Sequence, residues 1–101
     1  MSMTGIAGPL MVKKFSATAA TDIGKTFDLH VDCRIDGWVP LLVADVLTNH
    51  AGSFTINQAA ITSDGFAYVS IFQPNNNWKS ETVNVTVLYV KAGMIASEER
   101  W

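Results

Sequence analysis

The stretch Lys25-Thr26-Phe27-Asp28-Leu29-His30-Val31-Asp32-Cys33-Arg34-Ile35 decides the fold class. Phe27, Leu29, Val31, Cys33 and Ile35 alternate with Thr26, Asp28, His30, Asp32 and Arg34. Period two predicts a strand with one buried and one wet face. A helix would carry Leu29 to the side opposite Phe27 and Val31. Asp36-Gly37 then ends the run as a turn.

The same signal continues on both sides. Leu10 to Ala19 predicts a first strand, followed by a turn at Thr21-Asp22-Ile23-Gly24. Trp38 to Thr48 is a long apolar strand whose Pro40 lacks an amide donor and so belongs near its start or on a sheet edge. Asn49 to Ser53 reads as a loop, and Phe54 to Ile61 as a strand interrupted by Asn57 and Gln58. Ser63-Asp64-Gly65 predicts a tight hairpin, with Asp-Gly supplying positive φ. Phe66 to Phe72 is rich in aromatic and β-branched residues, as strands are. After the polar loop Gln73 to Asn77, Glu81 to Val90 closes the pattern, with Val83, Val85, Val87 and Tyr89 on one face. The tail has room for one helical turn around Ala96 to Arg100. Short strands separated by turn residues, with no long helix, predict an all-β antiparallel sandwich or jelly-roll-like barrel of about six to eight strands. The organisation is an amino-terminal segment with the first strand (1–24), a β-sandwich core (25–91) and a carboxyl-terminal tail (92–101) within a single domain.

Composition narrows function without selecting one. The 101 residues are 49% hydrophobic and 16% charged, against about 25% charged in an average soluble domain. Seven basic and nine acidic residues, net charge -2, speak against a nucleic-acid-binding face. No apolar run nears the roughly 18 residues of a membrane span, and the amino terminus lacks a signal-peptide pattern. The single cysteine, Cys33, leaves no internal disulfide.

The apolar excess falls on strands that do not alternate cleanly. In Trp38–Leu47, Leu42, Ala44 and Val46 are read on one face and Leu41, Val43 and Leu47 on the other; in Phe66–Phe72, Phe66, Tyr68 and Phe72 oppose Ala67, Val69 and Ile71. Leu88 and Val90 oppose the valine row of the last strand. A sandwich buries one face of each strand, so the second face needs a cover. Another copy of the chain is the expected cover, with Leu41, Val43, Asp45, Leu47, Phe66, Tyr68, Phe72 and Leu88 as candidate interface residues. The alternative is that the chain's own loops and amino-terminal segment fold over it. Asp45, a lone acid in an apolar strand, then either pairs with a basic residue at a subunit contact or lies on an edge.

Candidate chemistry is sparse. Cys33 and His30, three apart on a strand, point to opposite faces and cannot act together. Asp28, His30 and Asp32 share one face, but three ligands from one flat strand converge poorly on a metal, and a solvated polar face is the simpler reading. No phosphate loop, metal-ligand spacing or nucleophile motif is present; the reading is a non-enzyme with no cofactor or metal. Binding is better represented. Trp38, Trp78 and Trp101 are many tryptophans for this length, and Asn75-Asn76-Asn77-Trp78-Lys79 has the makings of a carbohydrate site. There an indole stacks on a sugar face while amides bond its hydroxyls. Trp78, Asn75, Asn76, Asn77, Trp38 and His50 are the candidate ligand-binding residues, with Tyr68 a possible neighbour. A flexible asparagine turn with Trp78 capping the core is the plain alternative.

The series Gly37-Trp38-Val39-Pro40-Leu41, the hairpin about Asp64-Gly65 and Val83-Asn-Val-Thr-Val-Leu-Tyr-Val-Lys91 resembles the carboxyl-terminal β-domains of bacteriophage tail-fibre and related virion structural proteins. The resemblance covers roughly Lys25 to Lys91. It implies a homotrimeric sandwich or jelly roll in a tail fibre, tip or capsid decoration, made in the host cytoplasm and located in the virion. Its implied partners are its own copies, other virion proteins and a host-surface glycan, with no nucleic acid and no membrane insertion. No family binding residue carries over, because no shared site motif is present. A carbohydrate-binding module of non-viral origin is the alternative, and a small hydrolase would need His30 or His50 united with an acid.

Overall fold

Glu81, Val83, Val85, Val87 and Tyr89 are all buried while the residues between them are not, so the last strand has one inner and one outer face, and the architecture is organised around it. The computed structural model describes residues 5–93. Within them lie β1 (Gly5–Ala7), β2 (Leu10–Ala20), β3 (Thr26–Asp32), β4 (Trp38–Thr48), β5 (Thr55–Ile61), β6 (Phe66–Phe72) and β7 (Ser80–Lys91). They form a four-stranded sheet, β1-β2-β7-β4, and a three-stranded sheet, β3-β6-β5, every neighbouring pair antiparallel. The fold is the expected all-β sandwich. β6, with Ala67, Val69 and Ile71 fully buried, faces the core from the second sheet as β7 does from the first.

The strand order is nested. β2 pairs with β7 through eleven consecutive positions, from Leu10↔Val90 to Ala20↔Ser80, and β3 pairs with β6 from Thr26↔Phe72 to Asp32↔Phe66. Pairing continues around the corner between the two ladders. The Thr21 amide donates to the Lys79 carbonyl (3.0 Å), that of Gly24 to Gln73 (2.7 Å) and that of Gln73 to Lys25 (3.1 Å). One antiparallel ribbon therefore passes from the first sheet into the second. The Gln73 side chain, fully buried at the bend, gives its amide hydrogens to Thr21 Oγ1 and the Trp78 carbonyl (3.0 Å each) and accepts the Trp78 amide (2.7 Å). A buried amide is tolerated only when so satisfied.

Several expectations need correction. β1 was not foreseen; it pairs Gly5↔Val12 through Ala7↔Leu10. In the β5–β6 hairpin only Gly65 has positive φ (86°), Asp64 does not. The turn closes through Thr62, whose hydroxyl accepts the Phe66 amide (3.0 Å). A side chain at Gly65 would also strike Arg34, whose Cγ lies 3.0 Å from where a Cβ would be. In β4 the register shifts between Pro40 and Leu42 and again between Val43 and Asp45, so Leu41 and Ala44 are bulge residues and strict alternation fails. Val43 and Val46 face the core, whereas Leu42, Asp45 and Leu47 face out. Val43 thus belongs to the core and not to an exposed second face. Pro40 does lie on an edge strand. The helical turn around residues 96–100 lies outside the described residues.

The outer face of β6 is dressed by its own sheet. Arg34 lies over the Phe66 ring (4.7 Å to the centroid) and His30 against Tyr68 (4.9 Å between centroids). Arg34 is fixed by a two-pronged bond to Asp32, Nε to Oδ1 and Nη2 to Oδ2, both 2.9 Å. These bonds hold the Asp32 carboxyl down to about 2. The pairing therefore favours the folded chain above the ordinary carboxyl range and is lost as pH falls through about 2. Beneath, the Tyr89 hydroxyl donates to the Cys33 carbonyl (2.6 Å), and the Cys33 thiol to the Gly65 carbonyl (3.2 Å). Burial pushes both groups up, so both stay protonated donors.

Two outcomes follow from these contacts. Arg34→Ala should return the Asp32 titration from about 2 toward the ordinary value of 3.8, read by NMR. Tyr89→Phe removes the hydroxyl that serves the Cys33 carbonyl inside the core; denaturant unfolding should show a loss of about 1 to 3 kcal/mol.

Candidate functional site

At the β7 start, Glu81 has the same parity as the valine row, so its carboxylate enters the sandwich and is 1% exposed. Burying a carboxylate is costly unless hydrogen bonds meet it. The loop after β4 supplies them: the His50 amide donates to Glu81 Oε2 (2.7 Å), and His50 Nδ1 bonds Glu81 Oε1. The Glu81 side chain thus holds both the backbone and the ring of His50 and fixes the orientation of the imidazole. The loop is closed by the Ser53 amide on the His50 carbonyl (3.0 Å) and tied to β7 by the Asn49 amide on the Thr82 carbonyl (3.2 Å).

Trp78 lies flat on this imidazole, with ring centroids 3.7 Å apart and planes within 11°. Its backbone amide and carbonyl are both fixed by Gln73. Trp78 is 39% exposed, with one ring face against His50. Asn75 and Asn77 are exposed and Asn76 half-buried in the segment that leads to it. Beside them Lys79 Nζ bonds Asp22 Oδ1 (2.8 Å), which lowers the Asp22 carboxyl and pins the neighbouring 21–25 turn. A buried acid, an oriented imidazole and an exposed indole thus form a stack running from the core to the surface.

The structure unites some of the predicted site residues and separates others. Trp78, His50 and Asn75 to Asn77 share one end of the sandwich. Trp38 does not: it starts β4 while His50 follows the end of that eleven-residue strand, roughly 30 Å away along it. There it packs against the core, its amide bonded to the Ile35 carbonyl. Tyr68 is on the outer face of the three-stranded sheet against His30, not beside Trp78. Asp28, His30 and Asp32 share that face, but Asp32 is committed to Arg34. Among the described residues no group of three or more His, Cys, Asp or Glu could hold a metal. Of the candidate interface residues, Asp45, Leu47 and Leu88 lie on the outer face of the four-stranded sheet, Leu41 is exposed in the bulge, and Phe66, Tyr68 and Phe72 line the outer face of the other sheet.

Gln73 and Glu81 were not singled out by sequence reasoning. Glu81 had a usable signal, since it falls two residues before Val83 in the buried row. Gln73 had none, because its burial depends on a corner that only the folded ribbon creates. The pairing of His50 with Glu81 does join a histidine to an acid, as a hydrolytic reading would require; Cys33 is not beside them, since it bonds the Gly65 carbonyl near Tyr89, at the other end of β7.

Glu81→Gln keeps the volume but turns one acceptor into a donor facing the His50 amide or ring. Unfolding stability should fall by about 1.5 to 3 kcal/mol, the scale of hydrogen bonds to a charged group, and the fluorescence of Trp78 should change as its stack loosens. Compared with protein-family models, curated proteins and solved structures, the chain matches none.

Proposed function

We propose that the chain is a bacteriophage virion structural protein, of a tail fibre, tip or capsid decoration, which assembles with its own copies and carries a carbohydrate-binding end. The observation that carries the binding role is Trp78, 39% exposed and with its indole held flat against His50. A preset ring spares the ordering cost that weakens binding by mobile side chains. The indole stacks on the apolar face of a sugar ring, and the amides of Asn75 to Asn77 serve the hydroxyls. Each site is small and weak, and several copies on one particle bind by avidity. The virion placement is supported by the motifs in Gly37–Leu41 and Val83–Lys91 and by the nested order of β2–β7 and β3–β6, the order of a jelly roll wrapped from a short ribbon. The copy number that the resemblance implies is three.

A non-viral carbohydrate-binding module is the second reading, favoured by one observation: the contacts that hold Trp78, with His50 and Gln73, are made within one chain. Glycan-array binding together with the mass in solution separates the two. The virion reading expects an oligomer that binds sugar, and a sugar-binding monomer favours the module. In either case Trp78→Ala should abolish array binding while leaving the mass unchanged. Array signals that survive Trp78→Ala would remove this site from the binding role.

A further inference from the structure

The outer face of the four-stranded sheet is divided into two halves. Toward one end, Leu10, Val12, Leu88, Val90, Val39 and Leu42 sit side by side across β2, β7 and β4. Leu10, Val39 and Leu42 are 41%, 36% and 46% exposed, and contiguous apolar patches of this kind are rare on monomers. Toward the other end, Ser16 bonds Asn84 and Thr18 bonds Thr82, small polar groups across β2 and β7, with Leu47, 55% exposed, beside Asn84 on β4. Between the halves runs one charged row: Lys14 and Asp45 both pair with Thr86, one from each side. They are two strands apart, roughly 10 Å, and among the described residues neither enters an ion pair.

We propose that this face docks on the same face of a second copy of the chain, around a two-fold axis running along β7. The inference rests on the self-assembly part of the proposed function but not on its copy number of three, since an isologous two-fold face joins two copies. Sheets pack face to face with their strands within about 30° of parallel. A two-fold along β7 exchanges the β2 side with the β4 side and leaves each row at its own height. Leu88 then meets its own counterpart, Val12 meets Leu42 and Leu10 meets Val39. Lys14 of each copy meets Asp45 of the other, so both charges of the row are neutralised twice over. A two-fold across the strands through the charged row would lay Lys14 on Lys14, Asp45 on Asp45 and the apolar half on the other half; shifted into the apolar half, it would leave the charged row unpaired. The first arrangement mates the apolar half with itself and pairs the charged row at once, as an isologous interface can, while setting Leu47 of each copy against Ser16 of the other. The outer face of the three-stranded sheet is the weaker candidate, because Arg34 and His30 already lie against two of its aromatic residues, Phe66 and Tyr68.

Sedimentation of the full chain and four variants tests the pairing, with circular dichroism showing that each variant is folded. Leu42→Glu, on an edge strand and outside the core, should abolish the pairing. Lys14→Asp and Asp45→Lys should each weaken it by about tenfold, and the double exchange should restore it to within about threefold. A monomeric parent overturns both the pairing and self-assembly. An oligomer, a trimer included, that is indifferent to Leu42→Glu and to the charge changes overturns this face alone. Loss with Leu42→Glu and no rescue by the double exchange overturns the two-fold register.

Discussion

The side-chain amide of Gln73 holds the bend on which the rest of the molecule depends. A long antiparallel ribbon has apolar residues on one face, and it buries them by folding over on itself. At the fold the backbone turns inward, and its polar groups need partners away from water. Gln73 supplies them to the carbonyl and the amide of Trp78, and gives a third bond to the Thr21 hydroxyl. The same bonds that let two sheets share one core therefore also fix the tryptophan at the molecular surface. Structure and candidate site have a common origin in one residue.

Most of the fold was legible because burial on one face imposes period two. Phe27 to Ile35 and Val83 to Tyr89 lie as their alternation requires, and β6 begins and ends at Phe66 and Phe72 as read. Illegibility begins where the backbone departs from the pleat. The two bulges in β4 add one residue each, so parity inverts twice within one strand, and Val43 passes from the outer face to the core. The site was legible in part for the same reason. Trp78 and the asparagines stand out by composition, whereas their meeting with His50 is set by a loop crossing between sheets. That crossing leaves no periodic trace.

The apolar excess of the sequence resolves into two different situations. On β6 two of the aromatic side chains are flanked by long polar neighbours whose stems and planes lie against them, Arg34 on Phe66 and His30 on Tyr68. On the four-stranded sheet the residues flanking Leu88 and Val90 are themselves aliphatic, so no side chain is available to do the same. Exposure is thus decided by the cross-strand partner as much as by the residue itself. A reading along one strand at a time sees only half of each pair.

The clamp on the loop before β7 has an evolutionary consequence. Gln73 fixes the entrance to the loop through its backbone and the exit through its side chain, so Pro74 to Asn77 are suspended between two anchors that one residue maintains. Substitution or lengthening within those four positions leaves the corner, the core and the Trp78 stack in place. The segment is thus set apart from the scaffold's own contacts, free to vary in sequence without loss of either anchor.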